Sequence, residues 1–86
     1  MGKQEKILWQ ILKGTSDTNV KFADLRNLLI YLGFEERIKG SHHIFRKSEV
    51  EEKINIQKDG NKAKPYQVRQ VRNIMLKYKF GGKLDG

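Results

Sequence analysis

Residues 22–47, FADLRNLLIYLGFEERIKGSHHIFRK, change their hydrophobic period halfway along, and that change decides the fold. Leu25, Leu28, Leu29 and Leu32 recur at i, i+3, i+4 and i+7, the spacing of one apolar helix face, with Asp24 in the first turn where the helix dipole favours a negative charge. Gly33 stands where a left-handed helix cap is wanted. From Phe34 to Ile38 the period falls to two, Lys39-Gly40-Ser41 supplies a turn, and His42 to Lys47 follows as a second strand. Helix, strand, turn and strand are therefore expected in that order.

The flanks extend the pattern. Ser48 to Glu52 is polar and acidic and reads as a loop, and Lys53-Ile-Asn-Ile-Gln57 alternates as a third strand. Lys58 to Lys64 is a loop with a hairpin-like Asp-Gly, and Pro65 opens a helix to about Tyr78 with an apolar arc of Val68, Val71, Ile74, Met75 and Tyr78. Upstream, Gln4 to Lys13 carries Ile7, Leu8, Ile11 and Leu12 as a stripe, with Trp9 beside it as a packing anchor. Gly14 ends this helix, and Gly14 to Asn19 reads as a flexible connection, so the helix is expected to be an appendage. The fold class expected is α+β, a three-stranded antiparallel sheet in an α-β-β-β-α order with two helices on one face, plus the extra N-terminal helix. The division expected is an N-terminal helix and linker over 1–19, a domain over 20–80 and a flexible tail over 81–86.

An 86-residue chain buries only about 60–65% of its unfolded surface, enough for one domain. With no cysteine, neither disulfides nor thiolate zinc sites supplement its core. The N-terminal apolar run is too short and interrupted for a signal peptide or a membrane span, which makes a cytoplasmic location, away from membranes, the expectation. Net charge is +8, unevenly spread: residues 1–52 hold 9 Lys/Arg against 8 Asp/Glu, and residues 53–86 hold 9 against 2. A polyanion partner is the natural reading, with a solvated basic surface as the plain alternative.

Both histidines of the chain sit in the second strand. Neighbouring strand residues point to opposite faces, so His42 and His43 cannot easily chelate one ion, and neither a metal nor another cofactor is expected. An imidazole titrating near neutrality among Lys39, Arg46 and Lys47 suits general acid–base work on a phosphodiester: a base takes the 2′-hydroxyl proton, cations offset charge on phosphorus, and an acid serves the leaving 5′-oxygen. Parity chooses between the two. If Phe45 packs in the core, His43 shares its face and His42 is the reactive candidate; if Ile44 does, His43 takes the role. Gly40 permits the turn, Ser41 can donate to phosphate, and Lys62, Lys64, Arg69 and Arg72 gather about a helix N-terminus that already favours anions. Replacing those four cations is expected to weaken RNA binding with little effect on stability.

The order of elements and the residues within it resemble the HicA toxins of bacterial and archaeal toxin–antitoxin systems. The resemblance covers about Phe22 to Tyr78, and its most specific part is Gly40-Ser41-His42 behind a leucine-rich helix ending in Leu32-Gly33-Phe34. It implies a double-stranded-RNA-binding-like fold, ribosome-independent cleavage of messenger RNA by an endoribonuclease, neutralisation by a HicB-type antitoxin, and a catalytic histidine at His42. Members often carry His-Pro after the second strand and Pro-His after the third, where this chain has Lys47-Ser48 and Gln57-Lys58. Two other readings stand beside it: a non-catalytic RNA-binding module that holds duplex by shape, and an interaction protein whose positive surface docks an acidic partner.

Overall fold

In the computed structural model, which describes residues 2–80, helix α1 covers Lys3–Lys13, α2 covers Phe22–Tyr31 and α3 covers Pro65–Lys77. The strands are β1 Glu35–Lys39, β2 His42–Lys47 and β3 Val50–Ile56, followed by a two-stranded hairpin of β4 Lys58–Asp59 and β5 Lys62–Ala63. The main sheet is antiparallel in the order β1-β2-β3. This is the α+β, α-β-β-β-α architecture read from the sequence, with its added N-terminal helix. The tail expected over 81–86 lies outside the described residues.

Local chemistry places the joints. At the end of α2, Gly33 has φ +98, its N–H donates to Ile30 O at 3.0 Å, and the Phe34 N–H donates to Leu29 O at 3.0 Å, the paired bonds of a Schellman cap. Phe34 and Leu29 are both buried in the common core. The start of α2 has no side-chain cap; the hairpin supplies one, because the Phe22 N–H donates to Asn61 O at 3.0 Å while Val20 O accepts from the Ala63 N–H at 2.9 Å. The Asp-Gly loop is thus a working element that fixes where α2 begins.

One apolar cluster joins Phe45, Ile54 and Ile56 of the sheet to Leu25, Leu28 and Leu29 of α2 and Val68, Val71 and Met75 of α3. Phe45 is fully buried, so the odd residues of β2 face the helices and the even ones face away. Three expectations need correcting. Val50, Glu51 and Glu52 belong to β3 rather than to a loop, because Val50 is buried and pairs with Lys47. Helix α1 is no appendage: Leu8 and Ile11 enter the common core, and the segment after it contains a short 3-10 turn over Asp17–Asn19 tied to α3. Trp9 faces outward, about half exposed, with the Lys13 ammonium 5.8 Å from its ring centre.

Candidate functional site

The two faces of the sheet carry different chemistry. On the helix side, His43 Nδ1 lies 2.8 Å from Glu36 Oε2, and the same carboxylate accepts two forked bonds from Arg26, Nε to Oε2 at 2.8 Å and Nη2 to Oε1 at 2.7 Å. Phe22 stacks edge-on against the His43 ring at 4.7 Å. The Arg26 guanidinium, ahead of His43, holds the Glu36 carboxyl below the usual carboxylate range. This chain of contacts ties α2 to β1 and β2.

The open side presents His42, exposed, at the mouth of the β1–β2 turn. Register pairs it with Lys39 on β1, and the neighbouring pair His43–Ile56 puts Gln57 beside it on the β3 side. Its Nδ1 is 3.3 Å from Asn55 Oδ1 and 3.2 Å from Asn55 Nδ2, and its Nε2 is 3.4 Å from Gln57 Nε2. The Lys64 ammonium donates to Gln57 Oε1 at 3.2 Å. Gly40 turns the chain at φ +59, and among the described residues nothing lies within 4 Å of where a Cβ would stand, so it is the left-handed backbone that asks for glycine there. Ser41 beside it is exposed.

Farther along this face, Arg37, Lys39, Ile44, Arg46 and Lys53 line a shallow groove with Glu35 and Glu36. Among the described residues none of Arg37, Lys39, Arg46 or Lys53 is in an ion pair. Unpaired cations of this kind on a sheet face raise its positive potential and attract anions. An imidazole at the end of such a track can exchange protons beside a bound phosphate.

The structure brings Lys39, Gly40, Ser41, His42 and Lys64 together, with Lys62 on the adjoining hairpin and Arg46 two open-face positions down β2. It does not bring Arg69 there: that side chain lines a groove along α3 with Tyr66, Asn73, Lys77 and the helix-side Glu52. Arg72 corrects an expectation. Its Nη1 donates to Asp17 Oδ1 at 2.8 Å and its Nη2 to Asp17 Oδ2 at 3.2 Å, with both side chains largely covered, so the guanidinium is committed to fastening α1 and the 3-10 turn. Sequence reasoning missed Asn55 and Gln57, and also Arg37 and Lys53. Alternation along β3 puts 53, 55 and 57 on one face, but only the register shows that two of them meet His42.

Fold and site together define a class: a small α-β-β-β-α domain with a solvent-facing histidine at the end of a basic sheet face. A family model described as HicA toxin of bacterial toxin–antitoxin matches residues 22–78, from the start of α2 to just past the end of α3, and the chain belongs to this family. Membership makes it a toxin of a toxin–antitoxin pair and implies an antitoxin partner. No curated protein and no solved structure matches the chain. Among the described residues no helix is long and apolar enough to cross a membrane, and no three His, Asp or Glu side chains gather as a metal site.

Proposed function

We propose that the protein is a ribosome-independent endoribonuclease that cuts messenger RNA in the cytoplasm with His42 as its general base, and that a HicB-type antitoxin neutralises it. The observation that carries this reading is the position of His42. It is exposed on the open face, with Lys39 across from it and unpaired cations along the same sheet. RNA lies along that face, its phosphates held by Lys39, Arg46, Lys62 and Lys64 and by the Gly40-Ser41 turn. Arg69 can reach only phosphate that continues past α3.

The chemistry follows from these groups. His42 Nε2 takes the proton of a 2′-hydroxyl, the freed oxygen attacks phosphorus, and the bond to the 5′-oxygen breaks. Lysine ammonium groups offset the charge that develops on the phosphoryl oxygens, the departing 5′-oxygen takes a proton from water, and the His42 imidazolium returns its proton to solvent. Lys39 is the cation that register sets directly beside the imidazole.

The products test the reading. Incubation of the purified protein with messenger RNA in excess EDTA should leave 2′,3′-cyclic phosphate ends or the 3′-phosphates they hydrolyse to. Activity that vanishes in EDTA and returns with magnesium or manganese would make it a metal nuclease. RNA that binds but is never cut would favour the non-catalytic module.

A further inference from the structure

We infer that Lys64, Gln57 and Asn55 form a hydrogen-bond chain that fixes His42 as its Nδ1–H tautomer and leaves Nε2 unprotonated, its lone pair held by the Gln57 amide. Gln57 and Asn55 are then positioning residues. Lysine ammonium can only donate, so the 3.2 Å contact from Lys64 Nζ fixes the Gln57 amide with its oxygen toward Lys64. The Gln57 NH2 must then face His42, and it donates to Nε2, 3.4 Å away. Because that nitrogen accepts, the ring proton of the neutral imidazole resides on Nδ1; Asn55 brings both Oδ1, at 3.3 Å, and Nδ2, at 3.2 Å, to that atom, and its oxygen is the end that takes the proton. The links from Lys64 to Gln57 and from Gln57 to Nε2 have one permitted direction once the ammonium is placed at the head, and the Asn55 amide, with both ends in reach of Nδ1, follows the ring.

The consequence is chemical. The neutral ring of a solvated histidine side chain prefers the Nε2–H form, which would present a proton where a base needs a lone pair. The contact from Gln57 is long, so an incoming hydroxyl can displace it, and the amide N–H released is then free for a phosphoryl oxygen. Gln57 itself is anchored from behind: its backbone N–H donates at 2.8 Å to Oε1 of Gln67, a buried side chain at the start of α3.

The catalytic part of this inference rests on the proposed ribonuclease reading; the tautomer does not, and it can be measured without RNA. Long-range proton–nitrogen correlation spectra of 15N-labelled protein, taken at about pH 8.5 where imidazole is neutral, separate the two tautomers by nitrogen shift. Wild type should show a protonated Nδ1 and an unprotonated Nε2 at His42. In the Gln57→Glu protein, nearly the same shape, the carboxylate can only accept, so the proton should move to Nε2. Asn55→Ala should drift toward the preference of a solvated histidine ring, and its kcat should fall about tenfold or more with KM little changed. An Nε2–H ring in the wild type, or spectra unaltered by Gln57→Glu, overturns the inference. The predicted spectra in a protein that cuts no RNA would uphold the chain and refute the ribonuclease reading instead.

Discussion

His42 and His43 are neighbours in sequence and opposites in surroundings. His43 has a carboxylate partner, an aromatic neighbour and an arginine behind the carboxylate, which is the dress of a catalytic dyad, yet its side chain is only 18% exposed and these contacts join α2 to the sheet. Among the described residues His42 has no carboxylate partner; two amides hold it, and Lys39 stands across from it on the open face. On the proposed reading, access and the charge of the surrounding face outweigh the presence of an acid–histidine pair. Strand parity separates a histidine tied into the contacts of the fold from one that faces solvent.

The comparison breaks most visibly under truncation of the helix side. Phe45→Ala should cost about 3–5 kcal/mol, since Phe45 is fully buried at the centre of the core. Domain stabilities are typically about 5–15 kcal/mol, so a denaturant midpoint close to the wild type would show that the core does not hang on this face. Glu36→Ala comes next, at about 1–3 kcal/mol, because it strands His43 and the Arg26 fork without an acceptor.

A pH titration sharpens the same contrast. Hydrogen bonds from Lys77 and then Tyr78 push the Glu52 carboxyl from the usual 4.5 down to about 2, and Arg26 with His43 lowers Glu36 as well. A carboxylate depressed by folding stabilises the protein above its unfolded value and loses that contribution as pH falls through the folded value. Melting temperature should therefore drop between about pH 4.5 and 2, and the drop should be smaller in Glu52→Gln. Identical profiles in the two proteins would remove Glu52 from the account.

Open-face charges should matter least to folding. Neutralising Lys39, Arg46, Lys62 and Lys64 should shift stability by no more than about 0.5 kcal/mol each, while every phosphate left without its cation flattens the log–log salt dependence of RNA binding by about 0.7–0.9. Arg72→Ala should do the reverse, costing stability through Asp17 with little change in that slope. RNA affinities and slopes equal to wild type in the four-site variant would mean that this face does not hold RNA.

Much of this division is legible in the order of the amino acids. Period two in β2 sets His42 and His43 on opposite faces, the burial of Phe45 rather than Ile44 decides which is which, and the switch of period at Gly33 marks the joint from helix to strand. What periodicity cannot give is what docks. Arg72 lies off the apolar arc of α3 and reads as a free cation, yet Asp17, 55 residues away, claims it. Trp9 adjoins an apolar stripe, yet the packing of α1 takes Leu8 and Ile11 and leaves the indole out. Asn55 and Gln57 look like ordinary polar strand positions until the pairing of β2 with β3 sets them against the imidazole. Register and long-range docking are properties of the assembled chain.

The most direct test of the central claim compares His42→Ala and His43→Ala side by side, recording thermal melting and RNA cleavage for each. The account predicts that His42→Ala melts like the wild type and loses cleavage by a factor of about 100–10,000, the usual worth of a general base. His43→Ala should melt lower and, at temperatures where it is folded, still cut RNA. Cleavage that survives His42→Ala, or that disappears only with His43→Ala in a folded protein, would contradict it.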